Sequence, residues 1–159
     1  THSISAQWAG RCSRRPSGDA MLRFIGVVEK ADEKGVSQIR IFDEFRDGLE
    51  GLDSYSHLIV LYWFHLRDTE EERSVLKVVP RRHPGAPEVG VFASRSPSRP
   101  NPIGLCVVKL VRLEGTVLSV KGLDAFEDTP ILDLKPYNPR ADAVPAAVVP
   151  PWALRGPKT

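Results

Sequence analysis

The sequence predicts an all-β protein, a single β-barrel with short irregular or helical connections. Three observations carry that expectation. About eight short runs rich in β-branched and aromatic residues follow one another, separated by Gly, Pro and charged turn residues at close intervals. No stretch keeps a long helical period, and no glycine-rich strand-to-helix turn is present. The 159 residues, 42% hydrophobic and 26% charged, suffice for one domain that buries a core without metal or disulfide support.

Residues 1–20 are polar, carry Arg11, Arg14 and Arg15, and show no period, so they read as an appended or loosely ordered extension to a domain over residues 21–159. A basic arm touching RNA is the alternative; Asp19 and the short length argue against a transit peptide. The only methionine, Met21, directly precedes the first apolar run. Residues 22–29 and 36–42 are expected as strands of a hairpin turned at 30–35. Residues 43–53, acidic and holding Gly48 and Gly51, form a loop or short irregular helix. The unbroken apolar run 58–64 is too short for a typical helix and is expected as a strand buried on both faces. Residues 67–73 can make one helical turn, 75–79 a strand, and 80–87 a Pro/Gly loop. Strands over 107–113 and 116–123 flank Glu114 and Gly115, where glycine supplies the positive φ of a tight hairpin. A last strand covers 131–134. Beyond Pro136 prolines and alanines dominate, with Trp152 able to pin the tail to the body.

Residues 90–105 read G-V-F-A-S-R-S-P-S-R-P-N-P-I-G-L. The segment is expected to open as a strand at Val91, Phe92 and Ala93 and to resume as one at Ile103. Between them Pro97, Pro100 and Pro102 remove three backbone donors and fix three φ angles, which excludes both helix and ladder. Arg95, Arg99 and Asn101 on such a rigid loop suit polar recognition. The same residues fit a proline-stiffened crossover with solvated arginines, and physics alone leaves both open.

A net charge of +2 does not announce nucleic-acid binding. Its distribution says more: Arg81, Arg82, Arg95 and Arg99 face a single acid, Glu88, across residues 81–99, while acids gather at 43–53 and 68–72. Chance clustering on a solvated face is the bland alternative. Two cysteines make no disulfide framework. Cys106, beside Val107 and Val108, reads as a reduced, packed thiol, which predicts a cytoplasmic setting. No apolar run is long enough to span a membrane.

The run 95–105, R-S-P-S-R-P-N-P-I-G-L, resembles the signature of the TrmO-type family, S-adenosylmethionine-dependent methyltransferases acting on N6 of threonylcarbamoyl-adenosine 37 in tRNA. Residues 52–65 (L-D-S-Y-S-H-L-I-V-L-Y-W-F-H) and 123–137 (L-D-A-F-E-D-T-P-I-L-D-L-K-P-Y) fit in the same order, so the similarity covers most of the chain. The resemblance implies a β-barrel rather than a Rossmann fold, S-adenosylmethionine as cofactor, tRNA as partner, a homodimer, and neither metal nor membrane. Carried over position by position, the cofactor contacts are His65, Leu66, Arg95, Leu105, Asp128, Thr129, Pro130 and Ile131. A strand-terminal His bound to backbone, and plain core packing of Leu105, are the simpler alternatives for those two.

Methyl transfer from a sulfonium to nitrogen needs no covalent nucleophile, only alignment and a route for the N6 proton. Asp133, Lys135 and Tyr137 alternate along 133–137 and so share one strand face, where an acid, a base and a phenol can act as catalytic groups. A structural Asp133–Lys135 ion pair explains the same spacing. Arg99 and Asn101 are the substrate-binding candidates, for tRNA phosphate or the threonyl carboxylate. His57 reads as structural.

Two departures fall in the cofactor region. The family's basic Pro/Gly loop after the first strand is reduced to K-A-D-E-K-G, and its D-G-T-P reads Glu127-Asp128-Thr129-Pro130. The larger C-terminal domain of some members has no counterpart in these residues. A methyltransferase of the same fold acting on a small molecule or another RNA, and a non-catalytic S-adenosylmethionine-binding module, are the rival expectations.

Overall fold

Alternation of apolar and polar residues builds the wall of this protein. A computed structural model describes residues 18, 20–31 and 34–158, and the extension expected over 1–20 lies almost wholly outside them. The strands are β1 (Gly26–Ala31), β2 (Val36–Ile41), β3 (His57–Trp63), β4 (Lys77–Val78), β5 (Val89–Gly90), β6 (Ile103–Glu114), β7 (Val117–Lys121) and β8 (Pro130–Pro136). Six of them close into an antiparallel barrel in the order β1-β2-β7-β6-β3-β8, while β4 and β5 pair separately. Irregularities at Glu29, Val111 and Leu132 add a residue to β1, β6 and β8. Such bulges bend strands, as closure of a small barrel demands.

Every second residue points inward. Val28, Ile39, Ile41, Leu58, Val60, Val108, Leu118, Val120 and Ile131 are all buried and form one cluster. With side chains of this size, a six-stranded barrel is full. The run 58–64 is not buried on both faces: Leu58, Val60 and Tyr62 point into the core, while Ile59 and Leu61 sit half-buried on the outer wall. The reason is topological, since a barrel strand has one inside.

The hairpins fall where turn chemistry puts them. Gly115, at φ 60°, makes the turn between β6 and β7, where Glu114 faces Val117. The first strand begins later than expected, at Gly26, although Ile25 is still bonded through its N–H to Ile131 O at 2.9 Å. Residues 91–93 are not a strand. After β5 they curl into a 3-10 turn (Val91–Ala93) closed by Ser94 N to Val91 O at 3.2 Å. Only Val91 is buried there, its N–H still on Leu76 O at 2.9 Å, and the exposed Phe92 and Ala93 pair with no strand. Residues 43–53 form the 3-10 turns Asp43–Leu49 and Leu52–Ser54.

The C-terminal tail packs on the 80–87 loop. The Trp152 ring meets the His83 ring edge-on at 5.6 Å, and His83 Nδ1 lies 2.6 Å from the Arg155 carbonyl.

β6 meets β3 over seven residue pairs, among them Tyr62 opposite Gly104. A Cβ on Gly104 would stand 2.5 Å from the Tyr62 ring and 2.9 Å from that of Phe64, two rings that pack edge-on at 5.3 Å. Gly104→Ala should therefore cost about 2 kcal/mol by overpacking and lower Tm by roughly 5 °C. Differential scanning calorimetry checks it; an unchanged Tm would mean that the rings do not rest on the backbone.

Candidate functional site at the His65 end of the barrel

Loop 94–102 is built by its own serines and prolines. Ser94 Oγ accepts from Ser96 N at 3.3 Å and Ser96 Oγ from Ser98 N at 3.2 Å. Arg99 turns inward, its Nη1 donating to the carbonyls of Ser94 at 3.0 Å and Ser96 at 3.2 Å. One of the predicted substrate-binding groups thus shapes the loop.

A neighbouring segment locks this loop to the barrel. β3 ends in a 3-10 turn (His65–Arg67), followed by α1 (Glu70–Arg73), whose N-cap Thr69 accepts from Glu72 N at 3.2 Å. The buried Ser98 donates its hydroxyl to the Glu72 carboxylate, and Arg67 Nη1 reaches the same carboxylate at 3.3 Å. Arg73 spans the gap next to it: Nε to Pro100 O at 2.8 Å, Nη1 to Asp68 Oδ1 at 3.1 Å and Nη2 to Asn101 Oδ1 at 3.3 Å. Its guanidinium also lies over the Trp63 ring, whose Nε1 donates to Asp68. Sequence reasoning missed Arg67, Asp68, Glu72 and Arg73. The only readable trace was the helix-start pair Thr69 and Glu72.

Arg95 differs from its neighbours. It is exposed and makes no hydrogen bond or ion pair among the described residues, yet its charge is felt at two groups of the barrel mouth. The Tyr62 phenol is pushed up to about 12, mainly by burial and then by Cys106 and Asp124, with Arg82 and Arg95 opposing. Burial likewise pushes the Cys106 thiol up, and it donates to Gly122 O at 2.9 Å.

The predicted residues divide between this mouth and the outer wall. His65 and the exposed Leu66 follow β3 after Phe64. Thr129, Pro130 and Ile131 run between β1 and β3, with Ile131 opposite both Gly26 and Tyr62. Thr129 and Ile131 are buried, and their backbone ties them to the barrel: Thr129 N–H donates to Phe126 O at 3.3 Å, and its carbonyl accepts from Val28 N at 2.9 Å. Asp128 stands at φ 68°, in the left-handed region that favours glycine, with its N–H on Val28 O at 2.8 Å. Leu105, half-exposed, faces Leu61, which faces Asp133: one outer-wall row across β6, β3 and β8. Asp133 accepts from Lys135 Nζ at 3.0 Å and from Leu134 N at 2.9 Å. Tyr137 lies past the strand end, its N–H on His57 O. Asp133 also lines a cavity of about 390 Å³ with Ile25, Phe45 and Leu52, which includes none of His65, Arg95 and Asp128. A ligand gripped by the predicted set therefore lies against rim and wall, outside the filled core. Among the described residues, no group of His, Cys, Asp and Glu could hold a metal ion, and no helix is long and apolar enough to cross a membrane.

This arrangement has relatives. Residues 28–143 match the model of the tRNA-methyltransferase O N-terminal domain. The chain belongs to the TrmO family. It is 49% identical over 110 residues to an S-adenosyl-L-methionine-binding protein of Archaeoglobus fulgidus, covering 69% of this chain and 74% of that one. It is 46% identical over 121 residues to a "Probable S-adenosyl-L-methionine-binding protein" of Methanocaldococcus jannaschii, covering 76% and 94%. The crystal structure of TrmO from Pseudomonas aeruginosa superposes with a TM-score of 0.64 at 30% identity, over 82% of this chain and 61% of that one. The all-β barrel is thus a TrmO fold, and the chain spans about three fifths of that solved TrmO. Asp128, where the resemblance expects glycine, keeps a glycine-like backbone.

The latch gives a pH signature. The Ser98 hydroxyl, ahead of the opposing burial and the help of Arg67, holds the Glu72 carboxyl below its ordinary value of 4.5. A depressed carboxyl contributes stability that is complete above its unfolded value and lost as pH falls through the lower folded one. Glu72→Gln should therefore lower Tm near neutral pH and lose that difference progressively as pH drops below 4.5. A Tm gap that is the same at about pH 7 and about pH 3 would show that Glu72 acts without its charge.

Proposed function

We propose that this chain is an S-adenosylmethionine-dependent methyltransferase that modifies tRNA at N6 of threonylcarbamoyl-adenosine 37 and works as a homodimer. One observation carries the reading. In a corner where Arg67, Arg73 and Arg99 are all tied to protein groups, the signature arginine Arg95 alone has its donors free. A free guanidinium fork fits the carboxylate of an amino-acid ligand, and the exposed Leu66 and Leu105 offer apolar surface to a thioether.

S-adenosylmethionine supplies an electrophilic methyl group, and the protein supplies position. In this reading Arg95 holds the cofactor's carboxylate, while His65, Leu66, Leu105 and the 128–131 backbone frame the rest. Asp133, Lys135 and Tyr137 handle the N6 proton: the Asp133 carboxylate keeps free lone pairs beside an ammonium that offsets its charge. Asn101 faces the substrate on a loop that Arg99 holds in shape through the Ser94 and Ser96 carbonyls.

For RNA, support comes from Lys109, which stands between His57 and Lys121 on neighbouring strands, all three exposed. Like charges directly opposite cost stability unless a counter-charge meets them, and a phosphate run is one. For the homodimer, support comes from Ile103, Leu105 and Val107, three apolar residues in a line on the outer face of β6, each 39–47% exposed. A small-molecule substrate on the same fold is favoured by the brief K-A-D-E-K-G sequence where the family carries a basic Pro/Gly loop, and by the side chain at Asp128.

Titration calorimetry with S-adenosylmethionine and S-adenosylhomocysteine should give micromolar binding, and Arg95→Ala should weaken it at least tenfold, about the cost of one charge-assisted pair. An unchanged Kd would remove Arg95 from the pocket. Asp133→Asn should lower kcat with little change in cofactor Kd; equal losses would make Asp133 structural. Binding of tRNA that weakens steeply with salt separates the tRNA enzyme from the small-molecule one.

A further inference from the structure

We infer that Asn101 meets the substrate through its hydrogen-bond donors, that Arg73 turns it that way, and that the group it meets is an oxygen acceptor of the RNA. This rests on the tRNA reading above. The argument is one of hydrogen-bond accounting. A guanidinium only donates, so the Asn101 atom 3.3 Å from Arg73 Nη2 has to be the amide oxygen. The Asn101 backbone carbonyl is taken as well, accepting from Ile103 N at 2.7 Å. Each of the residue's two acceptor oxygens thus already holds one donor of the protein. Its side-chain NH₂ and its backbone N–H have no partner among the described residues, and the side chain is exposed. Pro100 and Pro102 on either side add no N–H, so Asn101 is the only residue of that triplet with donors to offer.

Arg73 cannot swing away and let the amide flip. Its three nitrogens are bound to Pro100 O, Asp68 Oδ1 and Asn101 Oδ1, and its face lies 5.6 Å from the centre of the Trp63 ring. Asp68 is in turn fixed by Trp63 Nε1 at 3.2 Å. A lysine has no planar fork and cannot make these contacts together. Arg73 is therefore a positioning residue, acting on the substrate through Asn101. Two substrate groups share the required chemistry, the carboxylate on the modified base and a backbone phosphate.

The decisive variant is Asn101→Asp. It keeps an oxygen for Arg73 but replaces the outward NH₂ by a second oxygen. Tm should hold or rise, the Kd for S-adenosylmethionine should stay within twofold, and binding of an anticodon stem-loop carrying threonylcarbamoyl-adenosine should weaken roughly 30-fold by fluorescence anisotropy. Arg73→Lys should weaken the same RNA roughly tenfold, again with the cofactor Kd unchanged, a split that a loop merely losing its fold would not give. The same stem-loop with plain adenosine identifies the acceptor: the Asn101→Asp effect disappears there if the partner is the carboxylate and persists if it is a phosphate. RNA binding by Asn101→Asp equal to wild type, or a Tm as low as that of Asn101→Ala, overturns the inference alone. Wild-type protein that binds S-adenosylmethionine but neither RNA overturns the tRNA reading and this inference with it.

Discussion

A barrel with a filled interior has no room for a ligand, and the rest of this structure follows from that. Eleven buried apolar and aromatic side chains close the space within the six strands. Chemistry is left to the rim and the outer wall, where a strand's second face is free. The outward row Leu105, Leu61 and Asp133 and the mouth around His65 and Arg95 are what such a wall can offer. A Rossmann methyltransferase uses a crevice at the strand ends. In the proposed reading the strands themselves are the floor.

Exposed loops over such a floor need another source of rigidity. The proline-rich loop obtains it twice, from its own serine-carbonyl bonds and from the segment after β3, whose Glu72 and Arg73 reach it across 26 to 28 residues of sequence. The charges nearest the site are therefore mostly structural. Arg67, Arg73 and Arg99 are committed to the protein, and their commitment leaves Arg95 and Asn101 free to act outward.

Much of this was legible in the sequence, for identifiable reasons. Period-two alternation and glycine turns gave the two hairpins, and the span 131–134 fell inside β8. Residues 91–93 misled because β-branched and aromatic residues favour a strand only where an edge is there to pair with, which a local reading cannot see. The run 58–64 misled because composition does not count the faces that the fold will cover. At the site, Arg95 and Arg99 look alike on paper; only the folded loop turns one to its own carbonyls. The partners of Ser98 and Asn101 stayed hidden because they lie in a charged stretch that reads as a solvated turn.

The barrel is stitched unevenly. β3 and β6 share seven residue pairs, but β1 and β8 share only two, Gly26 with Ile131 and Val27 with Pro130. Amide exchange by local opening follows the weakest stitching, so this seam is where the wall parts first. Pro130 and Ile131 belong both to the seam and to the predicted cofactor set. A ligand clasped there would act as a zip, and slowed exchange at Val28 and Ile25, whose N–H groups close the seam, would report its arrival.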